Sequence, residues 1–382
     1  MFDETIEILG DLIAYPTISA DSNRAMIDDI EARLQAHGAR TRITTDGAGK
    51  ANIFATLGPD IDGGIVLSGH TDVVPVAQQP WSSDPFLLTQ KGERYYGRGT
   101  CDMKGFIAAS IAMAGRYSKM NLRRPIHFAF TYDEEAGCLG APVLLHDLRQ
   151  SGLRPSIAII GEPTSMKLVN GHKGCCEYAV KFRGLEGHGS KPAEGVNAVE
   201  YAVSYVSKLL SLRDDLVART PVDSPFDPAE TTINVGQLHG GVACNVIAGS
   251  AEVEWEMRPV QDSDLDLVRE TMHTFVEREI LPKMRTISEN AMVETVVVGE
   301  VPGLDPVDTV AASQLIHQLT GGNDAGLVSF CTEAGLFQKQ GISAALCGPG
   351  DIAQAHKADE FVSKGQMVKC LDMLDKLGKQ LM

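Results

Sequence analysis

The chain has no C-x-x-C pair, although 8 cysteines are spread over its 382 residues. That absence argues against a cysteine-rich zinc module. No apolar stretch approaches the roughly 18 residues of a membrane span. The opening residues, Met1-Phe2-Asp3-Glu4, lack the basic segment of a secretory leader. G-x-S-x-G is missing, which removes the serine-hydrolase nucleophile elbow. H-E-x-x-H is missing, which removes a thermolysin-like zinc site. Glycines surround Asp102 in GRGTCDMKG, but neither the third glycine of a dinucleotide fingerprint nor a G-K-[ST] triplet is there. Positive charge is scarce: 34 Lys+Arg stand against 50 Asp+Glu, a net charge of -16. This balance argues against nucleic acid or an anionic membrane as a partner. The cysteines read as reduced thiols, several of them buried small hydrophobes, in a cytoplasmic protein. There is no internal repeat and no low-complexity segment.

What is present begins with length. A chain of 382 residues suggests two domains, because single cores stop growing near about 250–300 residues. Short apolar runs bounded by Gly and Pro read as buried parallel strands at 64–69, 126–132, 156–161 and 342–347. Short strands are expected near 40–45 and 52–57. Helices are expected at 3–14, 22–37, 103–119, 139–150, 308–319 and 364–380. This alternation predicts an α/β fold, a mostly parallel sheet with helices on both faces. Between about 175 and 299 the pattern changes. Strands at 177–183, 231–239, 250–258 and 291–298 alternate with helices at 195–212 and 262–281. That β-α-β-β-α-β order predicts a ferredoxin-like α+β insert. The expected division is 1–174 and 300–382 for the first domain and 175–299 for the insert.

Acidic and histidine positions follow the apolar runs. They are His70 in SGHTD, Asp102 in GRGTCDMKG, Glu134-Glu135 in TYDEEAG, Glu162 in IIGEP and His356 in AHKADE. Ligands of open α/β sheets bind outside the carboxyl ends of the strands, so these groups are expected to converge there. Each has an ordinary reading when taken alone. His70 could be a hydrogen-bonded strand-end imidazole beside a turn-forming Asp72. Glu134-Glu135 could be a solvated acidic turn, and His356 an exposed loop residue. As a set they compose a site for transition-metal ions. Asp102 could bridge two zinc ions, with cobalt and manganese left open, and each ion would keep a position for water. A spare Glu134 could accept that water's proton. Asp72, two residues from His70, could orient its imidazole.

The motifs SGHTDVVPV, GRGTCDMKGFIA, TYDEEAGCLGA, GEPTSMKLVNGHKG, GHGSKPAEGVNA, CNVIAGSAEVEWEMRP, CTEAGLFQ and CGPGDIAQAHKADEFV extend over nearly the whole chain. In them the chain resembles the two-zinc exopeptidase and deacylase family, which includes desuccinylases, carboxypeptidases and aminoacylases. PWSSDPF, GRGTCDMKGFIA, GEPT followed by GHKG, and QAHKADEF look most like its acetylornithine-deacetylating branch. The resemblance implies that Asp102 bridges the metals, with His70 and Glu162 on one ion and Glu135 and His356 on the other. It implies Glu134 as general base and a cis bond between Asp102 and Met103. The insert would be a lid and homodimerisation domain. Its His188 would stabilise an oxyanion, and Asn245 and Arg258 would hold polar groups of a small N-acylated amino acid. The implied reaction releases acetate and ornithine from N2-acetyl-ornithine, in arginine biosynthesis. Another deacylase or dipeptidase of the family stays open, as does a non-catalytic small-molecule-binding α/β protein. The chain departs from the family at His188-Gly189-Ser190, where His-Ser-Ser is usual, and at Cys331, where glycine is commoner.

Overall fold

The computed structural model describes residues 1–306 and 311–382. The chain divides into two compact units. The first comprises Met1–Gly171, Leu304–Val328 and Thr332–Met382; the second comprises His172–Gly303 with Ser329–Cys331.

The first unit is built on an eight-stranded sheet. Its strands are β1 (Arg40–Thr45), β2 (Ala51–Leu57), β3 (Ile65–His70), β6 (Ile126–Thr131), β7 (Ile157–Pro163), β8 (Leu168–His172), β15 (Ala325–Val328) and β16 (Ser343–Gly348). Their order is β1-β2-β6-β3-β7-β16-β8-β15. The central β6, β3, β7 and β16 run parallel. The pairings β1 with β2, β2 with β6 and β16 with β8 are antiparallel. β3 and β6 are buried at every position, as continuous apolar runs require. A small sheet of β4 (Thr89–Lys91), β5 (Arg94–Tyr96) and β17 (Phe361–Ser363) stands apart from it.

Helices α1 (Phe2–Ile13), α2 (Arg24–Ala36), α3 (Lys104–Tyr117), α4 (Gly140–Ser151), α8 (Ala311–Thr320), α9 (Ala334–Lys339) and α10 (Lys364–Gln380) flank the sheet. The helix expected to begin at 308 is described from Ala311; 308–310 lie outside the described residues. α3 positions the site. Its alanines leave little side-chain bulk, and nearly all of it is buried between α1, α10 and the sheet. Glycine at two strand ends lets it come close. A Cβ at Gly161 would lie 2.0 Å from the Phe106 ring, and one at Gly69 would lie 2.9 Å from Met103 Cε. These close approaches bring Asp102, just ahead of α3, to the ends of β3 and β7.

The second unit carries β9 (Cys175–Arg183), β11 (Thr232–Gly240), β13 (Ser250–Arg258) and β14 (Met292–Val301). They form an antiparallel sheet in the order β11-β13-β9-β14. α5 (Ala198–Ala218) and α6 (Asp262–Phe275) make the two crossovers, giving the ferredoxin-like order. Tyr178, Val180, Phe182, Val253 and Trp255 share a core with Tyr205, Leu209 and Met272 of the helices. The helix expected over 262–281 is not one α-helix. A π-helical turn, Val276–Ile280, separates α6 from α7 (Leu281–Arg285). Pro282 supplies the reason: it has no N–H to continue the ladder. A two-residue ladder joins β10 (Gly187–His188) to β12 (Val246–Ile247).

Candidate active site

The carboxyl ends of the parallel strands carry the site. His70 is the last residue of β3, and Glu162 is the penultimate residue of β7. Glu134 and Glu135 follow β6, and His356 lies in the loop after β16. Asp102 sits among them. His70 Nε2 is 3.1 Å from Asp102 Oδ1. His356 Nε2 is 3.4 Å from Asp102 Oδ2 and 3.0 Å from Glu135 Oε2. Glu162 Oε1 is 3.9 Å from His70 Nε2. Thus Asp102 turns one oxygen to each imidazole. At Asp102, two groups have ligand atoms all within 4.8 Å of one another: His70, Asp102 and Glu162, and Asp102, Glu135 and His356. The Asp102–Met103 peptide bond is cis.

The cluster is short of positive charge. Glu162 Oε1 is buried, and among the described residues none donates a hydrogen bond to it, a costly state for a carboxylate. Burial, reinforced by Asp102 and Glu134, holds the Glu162 carboxyl well above its usual range. Burial also holds Glu134 well above it, with Glu135, Asp72 and Asp102 adding to the effect and His70 opposing it. Burial and Asp102 raise Glu135. Hydrogen bonds that His356 donates to the Asp102 and Glu135 carboxylates push it up to about 10. Burial opposes a proton on His70, but its bonds to Asp102 and Asp72 prevail and raise it. Each of these shifts draws protons, and hence positive charge, into the cluster. Divalent cations on nitrogen and oxygen donors would meet the same demand, and the residues present fit them.

Asp72 lies at the site in a different role from the simplest one. His70 Nδ1 is 2.9 Å from the Asp72 main-chain oxygen but 3.6 Å from its carboxylate. The carboxylate instead accepts from Ser19 Oγ at 2.7 Å and from the N–H groups of Glu134 and Glu135 at 3.0 and 3.2 Å. It orients the acidic pair.

The remaining sequence candidates belong to the second unit. His188 is exposed, and its Nδ1 accepts from the Ser190 N–H at 3.2 Å. That acceptor role leaves the proton on Nε2, free to donate. The ladder brings Asn245 close: Gly189 N–H donates to its carbonyl at 2.7 Å. A Cβ at 189 would stand 2.9 Å from that carbonyl, a close approach that glycine allows. Arg258 is half-buried and paired with Glu256 at 2.7 Å. Cys331 belongs to the second unit as well.

Several buried polar groups near the site escaped the sequence reading. Glu333 accepts from Ser68 Oγ at 2.5 Å and Thr131 Oγ1 at 2.8 Å, bracing β3 and β6. Lys50 Nζ pairs with Asp133 at 2.5 Å beside the acidic pair. Glu360 and Arg98 form a buried ion pair under Asp102. Glu360 lies in the same AHKADEF stretch as His356, and that was the available signal.

The chain is a hydrolase, and it belongs to the peptidase family M20/M25/M40, whose family model matches residues 66–380. Its relatives within the family are more particular. It is 34% identical over 380 residues to the acetylornithine deacetylase of Pasteurella multocida, spanning 97% of this chain and 96% of that one. It is 37% identical over 377 residues to the acetylornithine deacetylase of Proteus mirabilis, spanning 94% and 91%. Among solved structures, the fold is similar to the M20 family metallo-carboxypeptidase Sso-CP2 of Sulfolobus solfataricus, with TM-score 0.76, 16% identity and 99% of each chain covered. It is also similar to the Bacillus subtilis YXEP protein, described as a dinuclear metal binding peptidase, with TM-score 0.62, 16% identity and coverage of 100% and 98%.

Proposed function

We propose that this protein hydrolyses the acetyl amide of N2-acetyl-ornithine, giving acetate and ornithine, a step of arginine biosynthesis. The observation that carries the hydrolytic reading is the Asp102 carboxylate set between two histidine–carboxylate pairs, with Glu134 left over beside them. His70, Asp102 and Glu162 would hold one divalent cation, and Asp102, Glu135 and His356 a second, zinc before cobalt. Such ions, when bound, polarise an amide carbonyl and acidify water. Glu134 accepts the proton of the attacking water at its carboxylate and delivers it to the departing amine nitrogen. Its raised affinity for a proton suits that exchange. Asp72 fixes the main chain under Glu134 through its N–H. His188 donates from Nε2 to the oxygen that gains charge in the transition state. Arg258 and Asn245 hold the substrate's carboxylate and polar groups. The second unit serves as lid and as the contact of a homodimer. Among the described residues no helix is long and apolar enough to cross a membrane, and we place the protein in the cytoplasm.

The test is a panel of substrates assayed on purified protein: N2-acetyl-ornithine, N-succinyl-diaminopimelate and a dipeptide. The acetylated compound should give the highest kcat/KM. A higher value for either of the others would move the assignment to that substrate class. Uptake of cations without turnover of any substrate would replace the enzyme with a binding protein.

A further inference from the structure

Asp102 and His356 are distant in sequence, and both stand on turns. A buried ion pair joins those turns. Glu360 and Arg98 have side chains only 1% exposed and meet at 2.8 Å. Glu360 Oε2 also accepts from the Gly99 N–H at 3.0 Å. Its Oε1 accepts from the N–H groups of Cys101 at 2.8 Å and Asp102 at 3.1 Å. One carboxylate therefore holds the main chain of the turn that presents Asp102.

Arg98 reaches the other way. Its Nη1 donates to the Lys357 carbonyl at 3.3 Å and its Nη2 to Gln79 Oε1 at 2.6 Å. Gln79 Nε2 in turn donates to the His356 carbonyl at 2.9 Å. The Trp81 ring lies 5.1 Å from the guanidinium carbon, and Trp81 Nε1 donates to Gln79 Oε1 at 3.1 Å. His356 has φ +59°, a left-handed conformation uncommon outside glycine. It is held from both its own carbonyl and the next one.

A buried ion pair is weak evidence for stability, because desolvation offsets its attraction. Here its hydrogen bonds end on the segments that carry Asp102 and His356, directly or through Gln79. Glu333, another buried acid nearby, bonds instead to Ser68 and Thr131. We propose that Glu360, Arg98 and Gln79 are positioning residues that fix the spacing of Asp102 from His356. They thereby set the affinity of the cation position formed by Asp102, Glu135 and His356. This rests on the cation reading given above. The position formed with His70 and Glu162 shares Asp102 but takes its other two residues from β3 and β7, and is affected less.

The experiment is a cation titration of wild type, Glu360→Gln and Gln79→Met by competition with a chromophoric chelator. His356→Ala and Glu162→Ala serve to assign the two positions. Glu360→Gln keeps the shape of the side chain but turns an amide N–H₂ toward backbone N–H donors. Gln79→Met keeps the length, removes all three side-chain hydrogen bonds and sits at a half-buried position that tolerates it. Glu360→Gln should weaken the His356 position by about 10–100-fold, the usual range for partners of ligands. Gln79→Met should weaken the same position less, with the melting temperature of metal-free protein unchanged. Equal loss at both positions would overturn the proposal. So would unchanged affinities in a Glu360→Gln chain that merely melts earlier, since a structural pair would do only that. A wild-type chain binding fewer than two cations would sink the cation reading itself, and the wild-type control tells that failure apart. If Glu360→Gln does not fold, Gln79→Met alone decides: wild-type affinity at the His356 position overturns the clasp.

Discussion

The two candidate ligand triads meet at Asp102, and they are made from different kinds of structure. His70 and Glu162 stand on the neighbouring parallel strands β3 and β7, with side chains 1% and 4% exposed. Glu135 and His356 stand on loops, and the His356 side chain is 52% exposed. The strand pair is held by the sheet ladder and by α3 packed through Gly69 and Gly161. The loop pair has no ladder. It depends on side chains that bond to the main chain: Asp72 on Glu134 and Glu135, Gln79 on His356. Backbone pairing positions one half of the site, and side-chain hydrogen bonds to the main chain position the other, the half that carries the solvent-exposed His356.

The largest effect belongs to the residue that serves both triads and binds in neither. Glu134→Gln should lower kcat by about 10²–10⁴-fold, the contribution of a positioned general base, while both cations stay bound. Residual activity above a few per cent of wild type, measured at full metal loading, would remove Glu134 from that role. Next comes His188→Ala, outside both triads. Loss of an oxyanion donor costs about 10²–10³ in kcat, and it should leave KM and cation content near wild type. A variant that lost metal, and recovered its rate when metal was restored, would make His188 a ligand or a structural residue.

Legibility in the sequence follows the same division. The four central strands were readable because each is a continuous apolar run with no polar face to alternate. The marginal strands β1 and β2 were readable too, but their antiparallel pairing was not, because pairing direction at an edge is set by which strand comes alongside. β8, β15 and α9 were missed because segments of five, four and six residues carry too few periods to read. At the site, ligand-type residues stood out because an acid or histidine after a buried run is chemically conspicuous. Their supports did not. Arg98 and Glu360 look like ordinary surface charges in the sequence, and only the fold puts them together in the interior. Nor does the sequence show that Phe106 packs over Gly161, inside the expected strand 156–161.

A sharper division of the triads comes from removing ligands one at a time. His70→Ala and Glu162→Ala should each empty the strand-borne position, and Glu135→Ala and His356→Ala the loop-borne one. The retained metal should be close to one ion per chain in all four. Metal analysis after gel filtration checks this. A graded chelator should strip the loop-borne ion first from wild type, since its histidine is open to solvent. Losses that do not sort into these pairs, or a strand-borne ion that leaves first, would erase the distinction.

The smallest effect is one of stability, and it concerns the strand-borne half alone. Glu162 is buried, and among the described residues none donates a hydrogen bond to its Oε1. Burial makes the ionised form unfavourable in the folded chain, so its carboxyl is held well above the ordinary range. The unfolded chain ionises freely. Between the ordinary carboxyl pKa and that raised value, ionisation therefore favours unfolding, and folding stability falls as pH rises through the window. Glu162→Gln removes the ionisation while keeping the shape. At neutral pH the metal-free variant should be more stable than metal-free wild type by about 1–3 kcal/mol, the scale of one unsatisfied buried polar group. With cations added, the order should reverse, because wild type gains binding energy that Gln cannot supply. His356→Ala, on the exposed half, should give no such gain in the metal-free state. Melting curves of the three proteins with and without metal measure all of this. A metal-free Glu162→Gln that melts below wild type at neutral pH would show that Glu162 is satisfied without an ion, and would remove the strain that sets the buried triad apart.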